Sequence, residues 1–219
     1  AGVLENVSFT ARQGEVTALI GPSGGGKSTA CKLAARFWDV TGGKVLLGGT
    51  DVSTVDPETL LRSYSMVFQD VVLFRDTVME NIRLGRRGAT DEEVLEAARA
   101  AQCDEFIRKL PQGYQTVIGE NGSTLSGGER RILECFVILR SRSLFAVLDE
   151  PFSQVAPLHV VTLKALIRAE KRNKGILLTD HMYRHVTDVA DRLYVLANGQ
   201  TYLTQGDEDL VRYGYLNHL

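Results

Sequence analysis

A glycine-rich loop constrains this sequence more than any other feature. The run Gly21-Pro22-Ser23-Gly24-Gly25-Gly26-Lys27-Ser28-Thr29 fits the pattern G-x-x-x-x-G-K followed by Ser or Thr. The apolar run Val16–Ile20 precedes it, and a segment with apolar residues at helical spacing follows it. In such a strand–loop–helix unit, backbone N–H groups and the helix N-terminus together bind an anion. The sequence therefore predicts an α/β core with a phosphate site at the end of a strand.

The same loop supplies two reactive side chains. Lys27 is placed to reach the outer phosphates of a nucleotide, and the Ser28 hydroxyl is placed to ligate Mg²⁺. The alternative is a merely flexible glycine turn, which the flanking strand and helix make the weaker interpretation. The residues expected around the phosphates are Gly21, Ser23, Gly24, Gly25, Gly26, Lys27, Ser28 and Thr29.

Two carboxylates follow a second apolar run, Leu144–Leu148. Because ligands of open α/β sheets bind beyond the carboxyl ends of strands, Asp149 and Glu150 are expected to point into the site. Asp149 suits a direct or water-mediated Mg²⁺ contact, and Glu150 suits orienting and polarising an attacking water. The alternative is that the two acids only cap the next helix.

A histidine follows a third apolar run. His181 comes just after Ile176–Thr179 and is placed to contact the γ-phosphate and hold the attacking water. A purely structural histidine is the alternative, and the pattern does not separate the two interpretations. The remaining histidines are predicted to be surface residues: His159, His185 and His218.

Strand-like and helical patterns alternate along the chain. The residues Ala11-Arg12-Gln13-Gly14 predict a hairpin between the first two runs, and Asn198-Gly199 predicts another between the last two. The predicted strands are Val7–Thr10, Val16–Ile20, Lys44–Leu47, Ser65–Phe68, Leu144–Leu148, Ile176–Thr179, Leu193–Leu196 and Gln200–Leu203.

The middle of the chain, from about residue 71 to 139, has the pattern of a helical region. Thr90 with Glu93, and Ser126 with Glu129, fit the capping box that opens a helix. The helix after the glycine loop is predicted to bury one face, made of Ala30, Leu33, Ala34 and Phe37.

These elements predict one α/β domain over residues 1–219. Its mixed sheet has a β-hairpin edge, and a helical subdomain is inserted into it. Residues 1–69 and 140–219 are expected to form the catalytic core, and residues 70–139 the helical subdomain.

Composition excludes several classes of protein. With 25 basic and 27 acidic residues the net charge is −2, which gives no footprint for nucleic acid, and no nucleic-acid partner is expected. The longest apolar runs, such as Cys135–Leu139, have five residues and fall far short of the roughly 20 residues of a membrane helix. The start does not resemble a signal peptide, and the three cysteines form no C-x-x-C pair. We expect a cytoplasmic chain, or one held at the cytoplasmic face of the membrane by a partner.

A second glycine motif identifies a family. The motif is Leu125-Ser126-Gly127-Gly128-Glu129, with the glycine loop (a P-loop) upstream of it and Asp149-Glu150 downstream. It resembles the signature motif of the ATP-binding cassette (ABC) ATPases. The resemblance implies a P-loop NTPase of ABC type that binds ATP and Mg²⁺. It also implies a head-to-tail dimer of two such domains, in which Ser126, Gly127 and Gly128 of one subunit cover the ATP of the other.

The resemblance also assigns roles to single residues. Gln69 matches the Q-loop glutamine, which would take part in catalysis and sense Mg²⁺ and nucleotide. Asp149 matches the Walker B aspartate, Glu150 the catalytic glutamate and His181 the switch histidine. The segment 67–82 resembles the corresponding segment of exporter-type ABC domains. Such domains are coupled to the transmembrane domains of a transporter.

Three departures from the family pattern stand out. Members carry an adenine-stacking aromatic upstream of the first hairpin, whereas this sequence starts at Ala1, so we expect weaker base stacking. Ala156 replaces the aspartate of a dimer-contact loop. Residues 1–131 look exporter-like and residues 132–219 look like stand-alone cassette subunits, which suggests a mosaic or an engineered chimera.

The expected function is ATP binding and hydrolysis that energises transport through a membrane partner. The alternative is a nucleotide-binding module, chimeric or truncated, with little or no hydrolysis. A soluble cassette protein acting on ribosomes or DNA is a third class, which the single cassette and the exporter-like middle disfavour.

Overall fold

The computed structural model describes residues 4–67, 73–100, 103–119, 125–153 and 155–216. Its centre is a six-stranded sheet in the order β4-β5-β6-β1-β7-β8, beside a two-stranded sheet of β2 and β3. The strands are β1 (Val16–Ile20), β2 (Leu46–Leu47), β3 (Thr50–Asp51), β4 (Tyr64–Val67), β5 (Phe145–Asp149), β6 (Gly175–Thr179), β7 (Arg192–Ala197) and β8 (Gln200–Thr204).

Helices cover the sheet and fill the middle of the chain. They are α1 (Lys27–Ala34), α2 (Pro57–Leu61), α3 (Val78–Arg83), α4 (Asp91–Ala100), α5 (Asp104–Lys109), α6 (Gly127–Arg140), α7 (Pro157–Glu170), α8 (Tyr183–Thr187) and α9 (Asp207–Arg212). No helix within the described ranges is both long enough and apolar enough to cross a membrane.

The sheet is mixed, as predicted. β1, β5 and β6 are nearly continuous apolar runs, and they pair in parallel, which is the pattern of strands buried on both faces. Only β7 and β8 pair antiparallel in this sheet, and they form its hairpin edge. Asn198 (φ 52°) and Gly199 (φ 74°) adopt the left-handed backbone that a two-residue hairpin turn requires.

The first predicted hairpin is wrong. β1 pairs in parallel with β6 on one side and with β7 on the other, so both of its edges are occupied. Residues 7–10 form no strand. Residues 5–8 instead lie against the β7–β8 hairpin, where the N–H of Glu5 donates to the carbonyl of Gly199 (2.7 Å) and the N–H of Ser8 donates to Oγ1 of Thr201 (2.8 Å).

The predicted buried face of the first helix is also partly wrong. α1 ends at Ala34, and the chain then turns through Arg36 with φ 56°. Phe37 therefore lies beyond the helix and is 46% exposed. Ala30 is buried as expected, and Leu33 and Ala34 are half-buried.

The helical middle of the chain is confirmed, with α3 to α6 between residues 78 and 140. Both capping boxes are present. Thr90 and Glu93 exchange bonds of 2.9 and 3.3 Å ahead of α4, and Ser126 and Glu129 do the same at the start of α6. The one-domain assignment and its boundaries at residues 69/70 and 139/140 remain predictions.

Candidate active site

The glycine loop connects the buried strand β1 to helix α1. Gly24 (φ 74°) and Gly26 (φ 93°) adopt the left-handed backbone, and the N–H of Gly25 donates to the carbonyl of Pro22 (3.1 Å). Helix α1 starts at Lys27 without a side-chain cap and without an acidic residue in its first turn. The first amides of any helix lack an intrahelical acceptor, and here no capping side chain occupies them. Together with the positive end of the helix dipole, these amides can hold phosphate oxygens.

Lys27 lies folded over this loop. Its Nζ donates to the carbonyls of Gly21 and Pro22, both at 2.9 Å, and the residue is only 5% exposed. Burial lowers the pKa of Lys27, while the charges of nearby Glu150, Asp149 and Asp180 act in the opposite direction. The ammonium group is thus aimed at the loop, where it can neutralise phosphate charge.

Asp149 connects the loop to the end of β5. Its Oδ1 accepts a hydrogen bond from the Ser28 hydroxyl (3.0 Å) and another from the Thr179 hydroxyl. The register of the sheet explains the meeting, because Asp149 is paired with Thr179 across β5 and β6. One carboxylate and one hydroxyl beside a phosphate site suit Mg²⁺, which proteins usually hold with few side chains, phosphate oxygens and water. The described residues contain no cluster of three His, Cys, Asp or Glu that could hold a metal ion by itself.

Glu150 and His181 face each other at the same edge of the sheet. The backbone of Glu150 is strained (φ 53°), and its N–H donates to the carbonyl of Thr179 (2.8 Å). Glu150 Oε2 lies 3.8 Å from Nδ1 of His181, which is 52% exposed, and accepts a bond from the Ser153 hydroxyl (3.2 Å). The gap to His181 is too long for a direct hydrogen bond, so both groups can bind a shared water.

Asp180 was not among the predicted site residues. It is fully buried, and its carboxylate accepts hydrogen bonds from the N–H of Phe152 and of Met182, both at 2.9 Å. Burial raises the pKa of Asp180, against those bonds and the nearby His181. Asp180 therefore joins the loop after β5 to the loop after β6. Its position between a strand and His181 was a signal that could have found it.

The signature segment forms the start of α6. The Ser126 hydroxyl accepts from the N–H of Glu129 (3.3 Å), and Glu129 Oε2 accepts from the N–H of Ser126 (2.8 Å). Gly127 and Gly128 begin the helix, and their amides have no acceptor within it. Among the described residues, no hydrogen bond joins this segment to the glycine loop. The structure thus leaves the two glycine motifs of one chain apart.

Gln69 lies outside the described residues, as do Gln154 and His218. Ala156 is described and occupies the N-cap of α7, where it supplies no side-chain hydrogen bond. The predicted surface positions of His159 and His185 are wrong, because both residues are half-buried. Nδ1 of His159 lies against the signature segment.

An apolar groove lies beside the signature helix. Its volume is about 270 Å³, and its rim includes Phe74, which is 60% exposed, and Leu84, which is 40% exposed. It is lined by Met66, Leu73, Phe74, Asn81, Leu84, Gly85, Glu134, Val137, Ile138 and Ser141.

Comparison with known proteins decides the family. The model of the ABC transporter family matches residues 4–153. The chain belongs to the ABC transporter family. It is similar to an ATP-dependent lipid A-core flippase of Syntrophus aciditrophicus (strain SB), with 39% identity over 198 residues. It is also similar to a Staphylococcus aureus (strain NCTC 8325 / PS 47) protein named as a multidrug export ATP-binding/permease protein, with 37% identity over 220 residues.

The match extends over most of this ABC domain but over only part of its relatives. The alignments cover 90% and 100% of the chain, whereas they span 33% and 38% of the length of these two relatives. A solved structure of a bacterial Atm1-family ABC exporter with ATP bound superposes with a TM-score of 0.86 and 34% identity. That superposition covers 97% of this chain and 37% of the exporter.

The family confirms the predicted fold, an α/β P-loop NTPase of ABC type, and its nature as an ATP-binding ATPase domain similar to those of exporters. The mosaic of residues 1–131 and 132–219 remains a prediction.

Proposed function

We propose that this ABC domain hydrolyses ATP by in-line attack of water on the γ-phosphate. The observation that carries the proposal is the convergence of three strand ends on one site. The loop after β1 brings Lys27 and Ser28, the end of β5 brings Asp149 and Glu150, and the end of β6 brings His181. Catalysis of this kind depends on positioning and charge stabilisation rather than on covalent chemistry.

Each of these residues receives one role. Lys27 and the loop amides neutralise phosphate charge, and Ser28 with Asp149 would hold Mg²⁺, which would supply further positive charge to the phosphates. Glu150 accepts a proton from the attacking water, and His181 holds that water near the γ-phosphate. The geometry supports these roles because Asp149 accepts a hydrogen bond from Ser28, while Glu150, the next residue, faces the exposed imidazole of His181. Gln69 is assigned to Mg²⁺ and nucleotide sensing on the family motif alone.

We further infer that the working unit is a head-to-tail pair of domains. In the described residues, nothing bonds the signature segment to the glycine loop of its own chain, and the amides of Gly127 and Gly128 have no acceptor within α6. An anion-binding helix end of this kind suits the ATP of a second domain.

A membrane-embedded partner is the remaining part of the proposal. A relative named as a combined ATP-binding and permease protein has more than twice the length of this chain. The apolar groove beside α6 offers a surface for a segment of such a partner. ATP hydrolysis would then energise transport, with this domain at the cytoplasmic face of the membrane.

Glu150→Gln tests the hydrolytic role. The amide keeps the size of the side chain but cannot accept the proton of water, so phosphate release should fall about 100-fold or more while nucleotide binding persists. With ATP and Mg²⁺, the variant should also shift from monomer to dimer in analytical ultracentrifugation. Glu92→Gln, at an exposed position of α4, is the matched control and should behave like the unsubstituted chain.

The same assay separates hydrolysis from nucleotide binding alone. The specific activity of a dimeric ATPase rises with protein concentration, whereas a binding module shows no turnover at any concentration. Undiminished phosphate release by Glu150→Gln would remove Glu150 from its role. If the unsubstituted chain releases no phosphate, nucleotide binding without hydrolysis is the function that remains.

A further inference from the structure

The second glycine of the signature segment packs against a histidine of the same chain. A Cβ built on Gly128 lies 2.7 Å from Nδ1 of His159, closer than side-chain atoms pack, and 3.5 Å from its Cε1, an ordinary contact distance. The Cα–H bond of Gly128 that this Cβ would replace therefore points at the edge of the imidazole. The next nearest atom is the backbone nitrogen of Ala156, at 3.8 Å.

The imidazole is held from its other sides. Nδ1 of His159 is buried and has no hydrogen-bond partner among the described residues, so packing alone fixes this atom. The Phe106 ring, from α5, lies 6.4 Å from the imidazole between centroids, in a tilted arrangement. His159 is the third residue of α7, whose start is fixed by Pro157 at its first position.

This contact connects two parts of the catalytic machinery. Helix α7 begins a few residues after Glu150 at the end of β5, and α6 begins with the glycines that we assign to the nucleotide of a second domain. His159 therefore lies at the contact between the start of α6 and the start of α7. No atom of His159 needs to touch either nucleotide for this to matter.

We propose that His159 is a positioning residue for the signature segment, and that its imidazole occupies the space that a side chain at position 128 would take. The proposal rests on the proposed function, since it assigns Gly128 to the ATP of an opposing domain. The imidazole edge backs the Gly128 backbone and keeps the adjacent amides directed at that nucleotide. Truncation of His159 lets this backbone relax away, and a Cβ at position 128 pushes it off the ring.

A double-substitution cycle tests both halves of the proposal. The variants are Gly128→Ala, His159→Ala and the pair together, with His159→Asn as the conservative change, since its Oδ1 can occupy the position of Nδ1. In urea unfolding, Gly128→Ala should destabilise the unsubstituted chain more than it destabilises His159→Ala. In ATPase assays, adding His159→Ala to Gly128→Ala should raise kcat about tenfold, because the overpacking is relieved.

The positioning role predicts a particular kinetic pattern. His159→Ala should lower kcat and ATP-driven dimerisation about tenfold, in line with the loss expected when a reacting group is misplaced. The monomeric His159→Ala variant should bind a fluorescent ATP analogue with the same affinity as the unsubstituted chain, because the substitution leaves the glycine loop unchanged. His159→Asn should recover most of the lost activity, which a general loss of packing would not allow.

Each outcome decides a separate claim. If the effects of the two substitutions on unfolding are simply additive, the contact does not hold position 128 and the proposal is wrong. If unfolding shows coupling but His159→Ala retains full kcat, the positioning role is wrong. If the unsubstituted chain neither hydrolyses ATP nor dimerises, the proposed function fails and the positioning role fails with it, while the unfolding cycle still reports on the contact.

Discussion

Lys174 offers a test of the electrostatics at the end of the sheet opposite the active site. It directly precedes β6, is 2% exposed, and donates to the carbonyl of Ser141 (2.5 Å) and the hydroxyl of Ser143 (3.3 Å). Burial lowers the pKa of Lys174 from 10.5 to about 8, with the charge of Glu170 opposing the change. Lys174→Met removes the titrating group and keeps an unbranched side chain of similar length.

The sign of the effect follows from the direction of the pKa change. Between pH 8 and 10.5 the unfolded chain retains a proton that the folded chain has lost, so the free energy of unfolding rises with pH. The cost of holding this lysine charged in the fold is fully present below pH 8 and is relieved as the pH approaches 10.5. The difference between 10.5 and about 8 corresponds to about 3 kcal/mol, of which about 2 kcal/mol falls between pH 7 and pH 9.5.

The assay is urea unfolding followed by far-ultraviolet circular dichroism at pH 7 and at pH 9.5, under reducing conditions. Relative to Lys174→Met, the unsubstituted chain should gain about 2 kcal/mol between the two pH values. The comparison is needed because burial also raises the pKa of Cys103 to about 12. That change lowers stability as the pH rises above 9, equally in both proteins.

Lys174→Arg is the matched control, because its guanidinium stays charged over this range. The unsubstituted chain should gain the same amount relative to this variant, and the two variants should keep a constant difference from each other. A stability difference between the unsubstituted chain and Lys174→Met that does not change with pH would refute the reasoning.

Two further substitutions probe the start of α7 and the helical region. Ala156→Asp should raise the free energy of unfolding by about 0.5–1 kcal/mol, because α7 has no side-chain cap; urea unfolding measures it, and an unchanged midpoint would contradict it. Asn81→Ala should cost about 2–4 kcal/mol in the same assay. Asn81 is buried and bonds both backbone groups of Phe74 and the carbonyl of Thr77. A loss below about 1 kcal/mol would show that water replaces these bonds.

The sequence predicted the parts of this structure that short patterns determine. The glycine loop and the apolar runs around it define a strand–loop–helix unit within a few residues of each other. The carboxylates at 149 and 150 follow their strand directly, so their place at the sheet edge could be derived. The capping boxes at Thr90 and Ser126 are equally local, since each is closed within four residues.

The parts that the sequence did not predict depend on contacts between distant residues. Val7–Thr10 has a strand pattern, but the edges of β1 are occupied by β6 and β7, which follow more than 150 residues later. The burial of His159 depends on α5 and α6 packing against α7. Nothing in the residues next to His159 indicates that neighbour.

The bond pattern of Asp180 has a mechanical consequence. Its two carboxylate oxygens take one amide from the loop after β5 and one from the loop after β6, inside a fully buried site. These loops carry Glu150 and His181, which come from different strands. Because the buried Asp180 carboxylate is hydrogen-bonded to an amide of each loop, it couples the position of one loop to that of the other. We therefore expect a displacement of one loop to move the other, which would limit changes in the spacing between Glu150 and His181.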